Sequence, residues 1–159
     1  MKTRRILTLL AIPLLIAAMF SCNNGVAPLT EEERAEVLSA TMTAFTTATA
    51  GVGTGETSIA SPGRAAIKFS GDGFTISGTY DQDNMDITIT FTSYDSMSVI
   101  INGTVTMSGS SDNNFETVAD LSVIYNGGAH TLGWQITYSN GMVSGNFVID
   151  GSSYTYPYY

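Results

Sequence analysis

The chain has 159 residues, 6 Lys and Arg against 14 Asp and Glu, a formal charge of −8, and a single cysteine. That length suits one domain, and one thiol allows no internal disulfide, so stability has to come from a packed core. The acidity argues against nucleic acid or anionic lipid headgroups as partners, because both are recognised by clustered Lys and Arg.

The chain opens with a basic stretch, Met1-Lys2-Thr3-Arg4-Arg5, and an apolar run from Ile6 to Phe20 interrupted by Pro13. A basic start followed by a short apolar region and a small-residue site is the pattern of an export signal. A permanent span needs about 20 apolar residues, more than this run supplies. Immediately after it stands Met19-Phe20-Ser21-Cys22, then the polar Asn23-Asn24-Gly25. This segment resembles the bacterial lipoprotein lipobox, whose usual form is Leu, a small residue, Gly or Ala, then Cys. The relaxed form found here is similar to those of Bacteroidetes and spirochaete lipoproteins. The resemblance implies cleavage before Cys22, diacylglycerol and palmitate-type acyl chains on that residue, and a membrane anchor through them. Asn23, where a retention Asp would stand, implies the outer membrane by the same resemblance. Two or three acyl chains give stable attachment where one does not.

Removal of residues 1–21 leaves 138, with Arg34, Arg64 and Lys68 against all 14 acids, a charge of −11. Residues 22–29 read as a tether. Thr30-Glu31-Glu32-Glu33 is a capping box at a helix start, and its acidic first turn suits the positive end of the helix dipole. Val37, Leu38, Thr41, Met42 and Phe45 recur at spacings of three and four, which predicts an amphipathic helix over 31–47. The stretch 46–65 is Thr, Ala, Gly and Ser with little to bury and reads as a linker ending at Pro62-Gly63.

From residue 66 onward the expected structure is an antiparallel β domain, 66–159. Met85, Ile87, Ile89 and Phe91 alternate with Asp86, Thr88, Thr90 and Thr92, the mark of a half-buried strand. Similar rows involve Ile67 and Phe69; Phe74, Ile76 and Tyr80; Met97, Val99, Ile101, Val105 and Met107; Phe115, Leu121, Val123 and Tyr125. Leu132, Trp134, Ile136 and Tyr138 follow, then Val143, Phe147 and Ile149, and last Tyr154 and Tyr156. Short turns such as Asn140-Gly141 join them. The fold class expected is mainly β: an N-terminal amphipathic helix, then an eight-stranded antiparallel meander forming a strongly curved sheet or barrel. Gly78, Gly103 and Gly145 fall on the apolar face of three strands, where glycine marks a bend, a bulge or close backbone approach. Transmembrane barrels alternate too, but carry long loops and aromatic girdles that these short turns do not match.

Chemistry-bearing motifs are sparse. There is no G-x-S-x-G elbow, phosphate cradle or zinc spacing, and an acylated Cys22 is no nucleophile, so no enzyme is expected and no cofactor. His130 follows a turn and reads as a surface residue. Asp81, Asp83 and Asp86 offer oxygens in one hairpin, the ligands calcium takes, yet lack the glycine and glutamate of an EF-hand loop, and Asp is also an ordinary turn residue. Met85, Phe91, Met97, Met107 and Trp134 are the candidate lining of an apolar pocket, since methionine adapts to irregular shapes; equally they fill a core. The function expected is that of an exported, lipid-anchored, non-catalytic envelope lipoprotein binding a protein or a small apolar ligand. A scaffold lipoprotein with no small-molecule ligand is the alternative. The helix decides between them: if it fills the apolar face of the sheet, little cavity is left.

Overall fold

A computed structural model describes residues 26–52, 56–61, 63–81, 83–110 and 114–155. The signal segment and Cys22 lie outside the described residues. The fold is mainly β. One helix, α1 (Glu31–Val52), precedes strands β1 (Glu56–Ser61), β2 (Arg64–Gly71), β3 (Phe74–Tyr80), β4 (Met85–Ser96), β5 (Val99–Ser110), β6 (Asn114–Tyr125), β7 (Gly128–Ser139), β8 (Met142–Ile149) and β9 (Ser152–Thr155). All nine strands form one sheet in sequence order, each antiparallel to the next. The eight expected from residue 66 onward correspond to β2–β9. β1 is additional and arises in the stretch read as a linker.

The capping box forms as its residue types require. The Thr30 amide donates to Glu33 Oε2 (2.8 Å) and the Glu33 amide to Thr30 Oγ1 (3.3 Å). Hydrogen bonding to the carboxylate, from the Thr30 amide first and the Thr30 side chain second, holds the Glu33 carboxyl below its ordinary range. The helix continues past the expected end at residue 47. Its threonines return their hydroxyls to the carbonyl four residues back, as with Thr46 on Met42 and Thr49 on Phe45. Its buried stripe is Val37, Ala40, Thr41, Ala44 and Ala48, each at most 1% exposed. Met42 and Phe45, expected on the same face, flank this stripe and are half-buried. Alanines at the contact let the helix axis approach the sheet closely.

Helix and sheet meet over β2–β5. Ser96 donates its hydroxyl to the Ala40 carbonyl at 2.8 Å, a buried tie between β4 and α1. Phe45 sets its ring edge-on to Trp134 at 5.9 Å, which extends the contact to β7. Tyr125 at the end of β6 donates to Glu36, and the bond raises the tyrosine's pKa above its ordinary value. Arg34 lies over the Tyr154 ring, 5.2 Å from its centroid.

The core lies between helix and sheet, with Ile76, Ile89, Ile101, Leu132, Val99, Val105 and Val123 nearly sealed. The opposite face is a polar surface. One row across it pairs Ser77, Thr88, Thr106, Val118, Gln135 and Asn146 in turn, from β3 to β8. Among the described residues no second layer covers it. Gly78, Gly103 and Gly145 serve close backbone approach: a β-carbon on them would fall 2.2–2.3 Å from the carbonyl oxygens of Asp86, Asp120 and Gln135 on the neighbouring strands. A bulge interrupts β4 between Phe91 and Tyr94, where the Ser93 amide donates to Asn102 Oδ1 at 2.8 Å. The barrel expectation needs correcting to an open sheet. β1 and β9 are its two edges and pair only with β2 and β8. Closure requires the edge strands to meet, and a helix laid across one face occupies the space a closed barrel would enclose.

Candidate functional site

The five residues expected to line an apolar pocket are not brought together. Phe91 is 2% exposed and packs against Phe74 and Tyr94. Trp134 is 3% exposed, faces Phe45 and Phe147, and donates its indole N–H to Thr117 Oγ1 at 3.1 Å. Its one polar atom is thereby satisfied, as a buried indole needs. Met107 packs half-buried against the core. Met85 sits at the sheet rim, and Met97 is exposed at the tip of the β4–β5 hairpin. Four of the five pack in or against the core, Met85 at its rim, and Met97 is a turn residue.

Met97 was expected on an inward strand row. Instead Ser96 pairs with Val99, so Met97 and Ser98 form the two-residue connection, with φ of 52° and 67°. Positive φ at both central residues is the geometry of a type I′ hairpin, which matches strand twist. The sequence disguises this turn because neither residue is Gly, Asn or Asp.

Two open depressions share the end of β5 at the opposite rim. The larger, about 530 Å³, is lined by Arg64, Asn84, Met85, Asp86, Ser108 and Gly109. The smaller, about 310 Å³, lies across β5, β6 and β7 beside the stacked Phe115 and Tyr138 rings, which are 5.1 Å apart. Around it Gln135 donates to Glu116 at 2.6 Å and Ser139 to Asn114 at 2.6 Å. Both depressions are open to solvent, so they suit a surface contact better than an enclosed small molecule.

The acidic hairpin is organised as a turn. Asp81 Oδ1 accepts from the amides of Asp83 (2.8 Å) and Asn84 (2.6 Å), while Oδ2 lies 3.9 Å from Arg64 Nε. The Asp83 amide, with Asn84 and Arg64 behind it, holds the Asp81 carboxyl below its ordinary range. Asp86 stands on the polar face between Thr79 and Ser108. No group of three His, Cys, Asp or Glu placed to hold a metal occurs among the described residues.

His130 departs from expectation. It is 4% exposed, and its Nδ1 lies 2.7 Å from Asp150 Oδ2. The second Asp150 oxygen accepts the Thr131 amide at 2.9 Å, and the Asp150 amide donates to the Thr131 carbonyl at 3.0 Å. The tight Asn126-Gly127 turn starts β7 at Gly128, which puts His130 opposite Val123 on the inward face. The pair ties β7 to the β8–β9 turn. Its turn half was legible as Asp150-Gly151; the histidine partner was not, because the two are joined only by register. Comparison with known proteins gives no matching family model, no curated relative and no matching solved structure.

Proposed function

We propose that the chain is an exported lipoprotein, acylated at Cys22 and held at the cell envelope, at the outer membrane by Asn23, as a non-catalytic module that contacts other envelope proteins through its exposed surfaces. The observation that favours protein contact over an apolar small ligand is the packing of α1: Val37, Ala40, Thr41, Ala44 and Ala48 fill the apolar face of the sheet. What is left for recognition is polar or open, namely the Thr- and Ser-bearing face and the rim depressions beside Gly109. The lipid anchor rests on the sequence pattern around Cys22. No helix among the described residues is long and apolar enough to cross a membrane, and attachment in this reading is through acyl chains alone.

Native mass spectrometry of the chain extracted in detergent from a lipoprotein-processing host tests the ligand question. The expected mass is that of the acylated chain beginning at Cys22, with no second small-molecule adduct. A reproducible adduct of a few hundred daltons that survives gentle extraction, and that is lost on Trp134→Asp in a folded variant, would establish a ligand carrier instead. Cross-linking in intact cells then identifies the protein neighbours.

A further inference from the structure

The structure places Val26, the first described residue after Cys22, at one end of the sheet. Gly128 opens β7 directly after the Asn126-Gly127 turn, and Val26 is seated on it: a β-carbon there would fall 2.7 Å from Val26 Cγ1. Leu29 is 7% exposed, and its carbonyl accepts from Arg34 Nη1 at 3.0 Å. The chain just before α1 is therefore strapped to this end of the sheet. From Val26 back to Cys22 is a step of four residues, which spans at most about 14 Å when fully extended. The longest strands, of 12 residues, run about 40 Å. A lipid anchor on Cys22 can hold the strapped end near a bilayer, but it cannot reach the opposite rim.

The β4–β5 tip stands beside the β6–β7 tip. Ile100 pairs with Ile124, and the two connections follow within two residues of that pair. Adjacent tips are about two strand spacings apart, roughly 10 Å. The side chain this tip presents is Met97, 68% exposed, in a left-handed conformation that most residues avoid. The other two-residue turns of this kind use Asn126-Gly127, Asn140-Gly141 and Asp150-Gly151. An apolar side chain held exposed in a strained turn, at the end from which the anchor segment leaves, is placed where an apolar surface would meet it.

We propose that the end of the sheet carrying Met97-Ser98 and Asn126-Gly127 is a bilayer-facing surface, and that Met97 enters the headgroup layer of an uncharged lipid surface beside the acyl anchor. This rests on the lipoprotein reading of Cys22. The preference for uncharged lipid comes from Glu31, Glu32, Glu36 and Asp95, which are exposed at this same end and are repelled by anionic headgroups. The open depressions and the exposed Met142 then face away from the membrane, where partners approach.

The test uses the full chain, processed in a lipoprotein-processing host and reconstituted in phosphatidylcholine vesicles. Acylation consumes Cys22, so Met97→Cys and Met142→Cys each carry one free thiol for an environment-sensitive fluorophore. A lipid spin-labelled at the headgroup is the quencher. The expected result is quenching several-fold stronger at position 97 than at 142, falling as phosphatidylglycerol replaces phosphatidylcholine. An acylated, vesicle-bound protein with equal quenching at both positions, or stronger quenching at 142, overturns the orientation alone. A protein that carries no acyl mass and does not float with the vesicles overturns the lipoprotein reading itself.

Discussion

Met97 and Ser98 hold the two central positions of a turn whose φ angles, 52° and 67°, suit Asn and Gly. Each L-residue in the left-handed region costs on the order of 1 kcal/mol, more than Asn or Gly pays. Met97→Asn combined with Ser98→Gly is therefore expected to raise stability by about 1 kcal/mol, read as a higher denaturant midpoint at unchanged slope. If position 97 meets lipid, the same change weakens vesicle contact, and the two readouts move in opposite directions. At the helix start, Thr30→Ala removes the hydroxyl that accepts the Glu33 amide and is expected to cost about 1 kcal/mol. Glu33 adds a pH signature. Its folded pKa lies below the unfolded one, so the capping contribution is complete above the ordinary glutamate range and is lost as pH falls through the lowered value. Denaturant titrations at neutral and acid pH should show the Thr30→Ala penalty shrinking on the acid side. The capping box was legible because both partners are local. His130 with Asp150 was not, because their meeting depends on how β7 registers against β6 and β8.

At the level of elements, strand existence and order were written in the alternation and turns, whereas the helix length and the first strand were not. Residues 46–52 and β1 carry one large apolar side chain each, Val52 and Ile59, too few to set up a helical or strand period. Their order comes from tertiary context: Ala44 and Ala48 seal against the sheet, and β1 pairs backbone to backbone with β2, with Thr57 opposite Ile67. The close approach makes a direct prediction. Ala44→Leu inserts three heavy atoms where exposure is 0% and is expected to destabilise by about 1–3 kcal/mol, measured by chemical denaturation. Gly103→Ala meets a harder obstacle. Its φ is +119° and the new carbon would lie 2.3 Å from the Asp120 oxygen, so a loss of at least about 2 kcal/mol is expected in the same assay. By contrast Gly141→Ala, with nothing within 4 Å, tests the turn conformation alone and should cost about 1 kcal/mol.

At the scale of the whole molecule, the described residues form an open nine-stranded sheet with one face sealed by a helix and the other mostly polar. Alternation in the sequence separated the two faces apart from Met97 and His130, but did not distinguish an open sheet from a closed one, because inward rows look alike in both. What decides the matter is the alanine stripe of α1, which lays the helix flat on the sheet. The pocket residues inferred from methionine and aromatic content dispersed for the same reason: with the helix in place, Phe91 and Trp134 complete a core rather than line a cavity. From Cys22 onward the chain has 3 basic against 14 acidic side chains, a balance that disfavours anionic partners. The proposed envelope role depends on an acyl anchor at Cys22. The most direct measurement is membrane fractionation and intact mass of the full chain and of Cys22→Ser, both expressed in a lipoprotein-processing host. An acyl anchor at Cys22 predicts wild type in the membrane fraction, beginning at residue 22 with diacylglycerol and acyl mass, and Cys22→Ser without either. Equal partitioning of the two proteins, or a wild-type chain free of acyl mass, would contradict it.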